Sequence, residues 1–378
     1  MSPRRQLSQL TVNLSLLASN IAELKKLQPN KEILFMVKAD AYGHGLLPIV
    51  KYSYEESGVR SFGVASFEEA LTIREEFPEM RCDIFVFSEL ALDLEHNCDI
   101  YLNYRIFPIL SSSEDLDIFL KDRRFKNFPL CLKFNTGMNR LGLSCEEVEE
   151  VAGKLKSAGR NEVFHLMSHL ANASMPIDKN KRNIHQQKTF FQLKESLRQK
   201  GIKIIHSSIA NSAALEQGFK SEDDYIRPGL MLYGASSLSP KHKELSIWEG
   251  ITISKLESTV MRVFQVERGE PLSYGSTPSP DNGKAIILPL GYGDGVSTKY
   301  QGAKINFGFS VGHVCARVCM DMITILFSDD TPLERGQKLA LWDHKKGSLN
   351  RLSEEVNIIP YELVIQLTPR LPRFYTTS

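Results

Sequence analysis

The chain has 378 residues, which is more than a typical single domain and predicts two domains. Its 46 basic and 45 acidic side chains give a formal charge of +1, so no charge excess points to a nucleic acid or a membrane surface as a partner. It has six cysteines, no apolar stretch of roughly 20 residues and no signal-peptide core near its start, so we expect a cytoplasmic protein without a disulfide framework.

The first two thirds of the chain alternate between predicted helices and short apolar runs. An amphipathic helix is predicted over residues 12–27, and helix-like segments such as 145–157 and 179–200 separate most of the later runs. Strands that alternate with helices indicate parallel βαβ units, and eight units over about 220 residues match a (β/α)8 barrel. A doubly wound sheet is the alternative, although no Gly-x-Gly-x-x-Gly follows an early strand. The eight runs are Ile33–Val37, Phe62–Ala65, Ile84–Phe87, Arg105–Ile109, Leu130–Phe134, Val163–Met167, Lys203–Ile205 and Tyr225–Arg227.

The pattern changes at Ile247. Apolar and polar residues then alternate in steps of two, with many β-branched side chains and with Gly, Pro and Asp clusters between runs. This pattern predicts a β-rich second domain. We place the barrel at residues 12–243 and the β-rich domain at residues 244–378, and we expect residues 1–11 to pack with the second domain.

The run Ile33–Val37 has no polar alternation, as expected of a strand covered on both faces. Lys38 follows at once, and Tyr42 and a Gly-His-Gly turn come next. Parallel sheets and barrels place their chemistry at the carboxyl ends of their strands. Lys38 is therefore either a structural lysine paired with an acid or a desolvated amine that forms a Schiff base with a carbonyl cofactor.

Other polar residues lie at the ends of later strands or in turns of the second domain. Ser212 can open a helix with Asn211 and would offer an anion its hydroxyl and nearby N–H groups. Taken singly, each candidate has a structural explanation: His169 as a core histidine, Ser212 as a helix cap, Arg227 as an ion-pair member. The tyrosines would be packing residues and Asp321 a turn cap. The further candidates are Tyr42, Lys133, Arg140, Gly229, Tyr274, Tyr292 and Met320.

Cys315, Cys319 and His313 lie close together in the sequence and raise the question of a zinc site. A structural zinc site takes four ligands, and these residues have no second ligand pair. We therefore predict no metal.

Eight motifs, in order along the chain, resemble the alanine racemase family of pyridoxal-phosphate enzymes. They extend from about residue 10 to the C-terminus and cover both predicted domains. The resemblance implies an N-terminal (β/α)8 barrel, a C-terminal β domain, pyridoxal 5'-phosphate as cofactor, and a homodimer whose active sites combine both subunits. The motifs are VKADAYGHG, LKFNTGMNRLG, SHLANA, ANSAAL, RPGLMLYG, SYGST, GYGDG and RVCMD.

The resemblance also implies roles for the residues that match these motifs. Lys38 corresponds to the lysine that holds the cofactor, and Arg227 to the arginine that faces its pyridine nitrogen. Arg140 corresponds to the residue that contacts the cofactor's phenolic oxygen and the substrate carboxylate. Lys133 takes the place of a lysine that is often a carbamate and orients Arg140. The phosphate contacts correspond to Tyr42, Ser212, Gly229 and Leu230, and the substrate contacts to Met320 and Tyr292.

Racemisation removes a proton from one face of the substrate and returns one to the other, so two bases must flank a planar intermediate. The resemblance implies that Lys38 takes the proton from D-alanine and Tyr274 from L-alanine. An unperturbed tyrosine is a weak base at neutral pH. We therefore expect His169, with Arg227 behind it, to assist through a hydrogen-bonded chain, and we count Asp321 among the supporting residues.

Three positions depart from the family pattern. Asp40 stands where the family more often has Asn, which we expect to matter little. Ser208 stands where many members have a histidine that contacts the pyridine-facing arginine, and His206 lies two residues earlier. The segment 368–370 reads Thr-Pro-Arg where some members have a phosphate-binding tyrosine, so that contact is either missing or supplied by another residue such as Tyr361.

The predicted function is the interconversion of L- and D-alanine, which supplies D-alanine for peptidoglycan. A broad-specificity racemase is the closest alternative, although it would more naturally carry a secretion signal. A non-catalytic pyridoxal-phosphate carrier would lack the second domain, and a decarboxylase of basic amino acids lacks the two bases and the RVCMD motif.

Overall fold

In the computed structural model, which describes residues 6–94 and 96–377, the first two thirds of the chain form a parallel barrel. Its helices are α1 (Leu14–Leu27), α2 (Lys38–Gly43), α3 (Leu46–Glu55), α4 (Phe67–Glu76), α5 (Asn97–Asn103), α6 (Ser113–Lys121), α7 (Val148–Ser157), α8 (Lys181–Gln199) and α9 (Ser212–Glu216). Its strands, preceded by β1 (Ser8–Asn13), are β2 (Glu32–Met36), β3 (Ser61–Val64), β4 (Asp83–Val86), β5 (Ile106–Leu110), β6 (Cys131–Asn135), β7 (Leu143–Ser144), β8 (Glu162–Met167), β9 (Lys203–Ser208) and β10 (Tyr225–Ile226).

The barrel strands follow the order β10-β2-β3-β4-β5-β6-β8-β9, and the short β7 pairs with β6. A parallel bridge between Asn211 and Arg227, with the Arg227 N–H donating to the Ala210 carbonyl at 3.1 Å, joins the ends of this path. The predicted barrel fold is confirmed, and each predicted apolar run overlaps one of the eight strands. The first helix begins at Leu14 rather than at residue 12, because Asn13 ends β1 and caps α1 through its side chain.

Large side chains fill the barrel interior, so the barrel has no open channel and any site must lie at its rim. His165 is fully buried there, with its ring centroid 5.6 Å from Phe85 and 4.8 Å from Tyr225. Burial and the nearby Arg227 hold the pKa of His165 well below its usual range. The interior cluster consists of Leu34, Phe85, Phe107, Ile109, Cys131, Met167 and Tyr225.

The remaining chain forms the β-rich second domain. One sheet has the order β19-β11-β1-β20 and the other β12-β15-β18-β17-β16, beside a two-stranded β13-β14 hairpin. Its helices are α10 (Ser348–Val356) and α11 (Pro360–Ile365). Its strands are β11 (Ser254–Thr259), β12 (Arg262–Val266), β13 (Pro271–Leu272), β14 (Thr277–Pro278), β15 (Gly283–Leu288), β16 (Lys304–Asn306), β17 (Val311–His313), β18 (Ile323–Phe327), β19 (Lys338–Trp342) and β20 (Arg373–Thr376).

Strand β1 lies in the four-stranded sheet of this domain, antiparallel to β11 and parallel to β20. The chain therefore enters the barrel from the second domain, and its last strand returns beside its first. None of the helices in the described part of the chain is both long enough and apolar enough to cross a membrane.

The Gly-His-Gly turn after Lys38 packs directly on the second domain. Gly45 has a φ of 95°, and a Cβ at this position would lie 1.9 Å from the Tyr375 hydroxyl oxygen. His44 is fully buried, and its Nε2 lies 3.0 Å from Ser254 Oγ, which also accepts the Trp342 indole N–H at 3.2 Å. Burial lowers the pKa of His44 to about 4. The second domain therefore holds the turn that follows Lys38 in place through contacts with His44 and Gly45.

Candidate active site

A cavity of about 280 Å³ lies at the carboxyl ends of the barrel strands. No Asp or Glu is present among the described residues that line it. Without a counter-charge, the cavity is strongly positive and is suited to a ligand that carries more than one anionic group. The cations that line it are Lys38, Lys133, Arg140 and Arg227.

The segment that carries Lys38 has an unusual backbone. Ala39 to Tyr42 have φ values of 53°, 54°, 51° and 54°, so α2 contains a turn of left-handed helix built from residues other than glycine. Such a conformation costs on the order of 1–2 kcal/mol per residue and is rare in consecutive residues. The Asp40 carboxylate accepts the Leu46 N–H at 2.7 Å and stabilises the end of the turn. The turn directs the side chain of Tyr42 into the cavity.

The two lysines of the cavity have weakened basicity. Burial is the main cause that lowers the pKa of Lys38, Arg140 lowers it further, and Glu69 opposes both. Burial, followed by Arg227, Arg140 and Lys38, lowers the pKa of Lys133 to about 8. A fraction of the Lys133 amine is therefore neutral, and hence nucleophilic, close to neutral pH, and the same causes favour the neutral form of Lys38.

Tyr42, Ser212 and Gly229 meet at one end of the cavity. The Ser212 hydroxyl accepts the Gly229 N–H at 2.8 Å, and a Cβ on Gly229 would lie 2.4 Å from the Tyr42 hydroxyl oxygen. Only glycine leaves room for this approach, and a 3₁₀ turn, Leu230–Tyr233, begins directly after it. Asn211 rather than Ser212 caps α9, since its side chain accepts the Ala214 N–H at 3.2 Å. The Ser212 hydroxyl hydrogen is therefore available to an anion.

Arg227 is held by its own chain at the barrel closure. Its guanidinium donates to the Ser208 hydroxyl and to the Ser168 carbonyl, and His165 Nε2 lies 2.9 Å from the same hydroxyl. Burial lowers the pKa of Arg227 to about 10, so it remains protonated at neutral pH. Ser208, backed by His165, thus supplies the support that the family pattern assigns to a histidine, whereas His206 pairs with Asp224.

His169 lies beside Arg227 in the cavity lining but has different hydrogen-bonding partners. Its Nε2 is 3.4 Å from the Asn211 amide nitrogen, and its carbonyl accepts from Gln186 at 2.9 Å. Burial, followed by Arg227 and Lys133, holds the pKa of His169 well below its usual range. A neutral imidazole can accept a proton or pass one on, although the expected chain from Arg227 is not among its hydrogen bonds.

Arg140 is placed by the turn after β6. The Asn135 side-chain oxygen accepts the N–H groups of Gly137 at 3.0 Å and Asn139 at 2.9 Å, and its amide donates to the Asn139 side chain at 2.9 Å. This turn holds Arg140 in the cavity lining, close enough to Lys133 to lower the pKa of its amine.

The candidates of the second domain do not line this cavity. They are Tyr274, Tyr292, Met320 and Asp321. Tyr274 is 74% exposed, Met320 51% and Tyr292 47%. Backbone hydrogen bonds join their loops, from Tyr292 N–H to the Cys319 carbonyl at 3.0 Å and from Gly293 N–H to the Met320 carbonyl at 2.8 Å. Asp321 lies 2.8 Å from Arg370 in an exposed ion pair. We call the set Tyr274, Tyr292, Met320 and Asp321 the Tyr274 face.

Two residues at or near the cavity, Tyr361 and Glu69, are recognised more readily in the structure than in the sequence. The Tyr361 ring lies 5.9 Å from the Tyr42 ring, and its hydroxyl donates to Ser237 at 3.0 Å, so Tyr361 lies beside Tyr42 in the cavity lining. Glu69 binds the backbone of the Lys38 turn. The sequence signal for Glu69 was the Ser-x-x-Glu pattern of a capping box, which indicates a helix start but not a contact with Lys38.

The cysteine and histidine group of the second domain is dispersed. His313 ends β17, Cys315 is buried in the following loop, and Cys319 contacts Ser273 at 3.0 Å. Within residues 6–94 and 96–377, no three His, Cys, Asp or Glu side chains gather as a metal site would require.

The fold and the cavity define a class: two-domain barrel proteins with a buried lysine in a cationic pocket at the carboxyl ends of the strands. Models of the alanine racemase N-terminal and C-terminal domains match residues 12–237 and 253–375. The chain belongs to the alanine racemase family.

Full-length relatives agree with this assignment. The alanine racemase of Clostridium kluyveri is 31% identical over 375 residues, covering 96% of this chain and 93% of that protein. The alanine racemase of Legionella pneumophila strain Paris is 30% identical over 379 residues, with 96% and 98% coverage. The solved alanine racemase of Acinetobacter baumannii superposes with a TM-score of 0.85 at 27% identity and covers 98% of this chain and 100% of its own.

Proposed function

We propose that this protein interconverts L- and D-alanine with pyridoxal 5'-phosphate as cofactor. The observation that carries the proposal is the cavity itself, where the half-buried Lys38, whose pKa is lowered, stands among three further cations and beside a glycine-lined anion seat. Membership of the alanine racemase family supports the same activity. We further propose that the reaction takes place in the cytoplasm and supplies D-alanine for peptidoglycan.

The described residues fit this cofactor. Lys38 would hold its carbonyl carbon through Nζ, and Arg227 would face its ring nitrogen. The cavity of about 280 Å³ suits a small cofactor, since ligand pockets usually span about 300–1,000 Å³. When bound, pyridoxal 5'-phosphate supplies an electron-withdrawing ring that stabilises negative charge at an amino-acid Cα. Its phosphate would be held by Tyr42, Ser212, Tyr361 and the backbone of Gly229 and Leu230.

Arg227 would bias the outcome towards racemisation. A guanidinium does not give up its proton at neutral pH, so it does not protonate the group that it faces. The charge at Cα would then be stabilised only moderately and would be quenched quickly by a proton. Ser208 and the Ser168 carbonyl fix the guanidinium in this role.

Two bases would exchange the substrate proton. Lys38 would serve one face of Cα and accept the proton of D-alanine. Tyr274 serves the other face and accepts the proton of L-alanine. The half-buried, neutral His169 is suited to share a proton with Tyr274, and Arg140 would bind the substrate carboxylate.

We propose that the functional unit is a homodimer with shared sites. Tyr274 is mostly exposed and does not line the Lys38 cavity of its own chain, so one chain does not contain both bases in one place. In a dimer of closed symmetry, the Tyr274 face of each subunit would cover the cavity of the other. Met320 and Tyr292 would then line the substrate pocket, and Asp321 would support them.

We propose that Lys133 is carbamylated. At a pKa of about 8, part of its amine is neutral at physiological pH and can add to carbon dioxide. The new N–C bond forms with release of one proton, and the resulting carbamate anion would offset the excess positive charge of the cavity and accept hydrogen bonds from Arg140.

The activity is tested by incubating the purified protein and added cofactor with L-alanine, then following D-alanine and the visible absorbance of bound cofactor. We expect both signals to be present. If neither D-alanine nor the absorbance of bound cofactor appears, the proposal is overturned. L-serine and L-lysine, run in parallel, would reveal a broad-specificity racemase as turnover comparable to that of alanine.

A further inference from the structure

Glu69 joins the turn after Lys38 to the neighbouring turn of the barrel. Its Oε1 accepts the N–H groups of Ala39 at 2.6 Å and Asp40 at 3.3 Å. Its Oε2 accepts those of Ala65 at 2.8 Å and Ser66 at 3.4 Å. One half-buried carboxylate therefore satisfies four backbone donors from the turns that follow β2 and β3.

The Lys38 turn needs such an anchor. Ala39 and Asp40 begin the left-handed segment, and their strained conformation persists only if the surroundings hold it. Asp40 fixes the far end through Leu46, whereas Glu69 is the side chain that holds the near end, directly after Lys38. The direction of the Lys38 side chain depends on the backbone of these residues.

Glu69 also bears on the charge of Lys38. Burial and Arg140 lower the pKa of the amine, and Glu69 is the group that raises it. Removal of the Glu69 charge would therefore make Lys38 a weaker base.

We propose that Glu69 is a positioning residue for Lys38: its carboxylate holds the left-handed turn through the Ala39 and Asp40 N–H groups and so fixes the amine in the cavity. The consequence for catalysis rests on the proposed function, but the effect on the turn does not. Glu69 does not line the cavity, so it acts through the backbone and through its charge rather than by touching the reacting atoms.

The chain offers a matched control in Ser66. The Ser66 hydroxyl accepts the Glu69 N–H at 3.2 Å and forms the other half of the capping box of α4. Ser66→Ala therefore weakens the start of α4, as Glu69→Ala does, but leaves the contacts to Ala39 and Asp40 in place. A difference between the two variants reports on the Lys38 turn alone.

The first experiment is hydrogen exchange followed by mass spectrometry on the cofactor-loaded protein. In Glu69→Ala, amide exchange in the peptide that spans residues 38–46 should accelerate at least about tenfold, as expected when anchoring hydrogen bonds are lost. In Ser66→Ala, it should stay within about twofold of the unmodified protein. Equal exchange in both variants would show that Glu69 only caps α4 and would overturn the proposal, whether or not the protein racemises alanine.

The second experiment is the pH dependence of kcat in the direction from D-alanine, which reports the ionisation of Lys38 in the substrate complex. Glu69→Gln keeps the shape but removes the charge, so the acidic limb should move to lower pH by roughly half a unit to one unit. Glu69→Asp keeps the charge with a shorter reach, so its limb should stay while exchange of residues 38–46 rises. If the acidic limb of the pH profile did not move in Glu69→Gln, the proposed effect of the Glu69 charge on Lys38 would be refuted. If the unmodified protein did not turn over D-alanine, the proposed function would fail, and the exchange result would stand by itself.

Discussion

Lys38 and Tyr274, the two proposed bases, lie in contrasting surroundings. Lys38 stands in a cavity at the carboxyl ends of the barrel strands, and its turn is held by Glu69 and by the second domain. Tyr274 stands on a turn with 74% of its surface exposed. The Lys38 site is preorganised by residues of one chain, whereas the Tyr274 face is a set of exposed side chains.

The two regions also differ in how much apolar surface they leave exposed. Met320, Met322 and Tyr292 are 51%, 43% and 47% exposed beside Tyr274, an apolar surface of the kind that marks an interface. Their loops are nevertheless tied together by backbone hydrogen bonds, so the face is ordered before any partner arrives. An ordered apolar face and a cavity without its second base are complementary halves of one proposed site.

The strongest test of the contrast is subunit complementation. We expect Lys38→Ala to lose cofactor absorbance and activity, and Tyr274→Phe to keep the absorbance but lose about 10²–10⁴-fold in the L-to-D rate, as removal of a general base usually does. When the two inactive variants are mixed and allowed to exchange subunits, half of the dimers should be mixed and each should contain one intact site. About a quarter of the original activity should therefore return.

Tyr104→Phe, a partly exposed tyrosine of the barrel, is the control for loss of a hydroxyl and should be fully active. No recovery of activity on mixing, despite exchange shown by mass spectrometry, would place both bases in one chain.

The junction of the two regions should limit stability in acid. The pKa of His44 is about 4 in the folded chain and about 6.5 when unfolded, so between these values the unfolded state binds more protons. Stability is fully present above pH 6.5 and should fall as pH drops towards 4, at about 1.4 kcal/mol per pH unit and roughly 3 kcal/mol in all. Urea titrations of the unmodified protein and His44→Asn at several pH values measure this contribution.

His165 and His169 also have lowered pKa values and remain in both proteins, so the difference between the two curves isolates His44. Parallel curves would show that His44 does not couple acid to unfolding.

The smallest effect concerns the anion seat. In Gly229→Ala, the new Cβ would meet the Tyr42 hydroxyl at 2.4 Å, and Tyr42 is too buried to move freely. We expect cofactor affinity to fall about tenfold and stability by about 1–3 kcal/mol. Gly153→Ala in α7 is the control, because nothing lies within 4 Å of its Cβ, and it should be neutral or slightly stabilising. Adding Tyr42→Phe should recover stability but not affinity; recovery of both would show that Tyr42 is a packing residue only.

Much of the fold was predictable because barrel strands are buried on both faces and appear as short apolar runs. Lys38 and Arg227 were predictable as candidates because Lys38 follows such a run and Arg227 ends one. The partner of Arg227 was not predictable, since His206 and Ser208 are two residues apart on the same face of β9 and side-chain alternation does not decide which of them reaches the guanidinium. Helices α10 and α11 were not predicted, because their short apolar patterns lie within a β-rich region.

The sequence by itself determined the fold class, the family and which side chains are candidates for the chemistry, because hydrophobic periodicity and ordered motifs are local properties of the chain. Tertiary structure decided the left-handed turn after Lys38, its attachment to Glu69 and the separation of Tyr274 from the cavity of its own chain. These features depend on contacts between residues about 30 to more than 200 positions apart. Such contacts exist only once the barrel has closed and the second domain has packed against it.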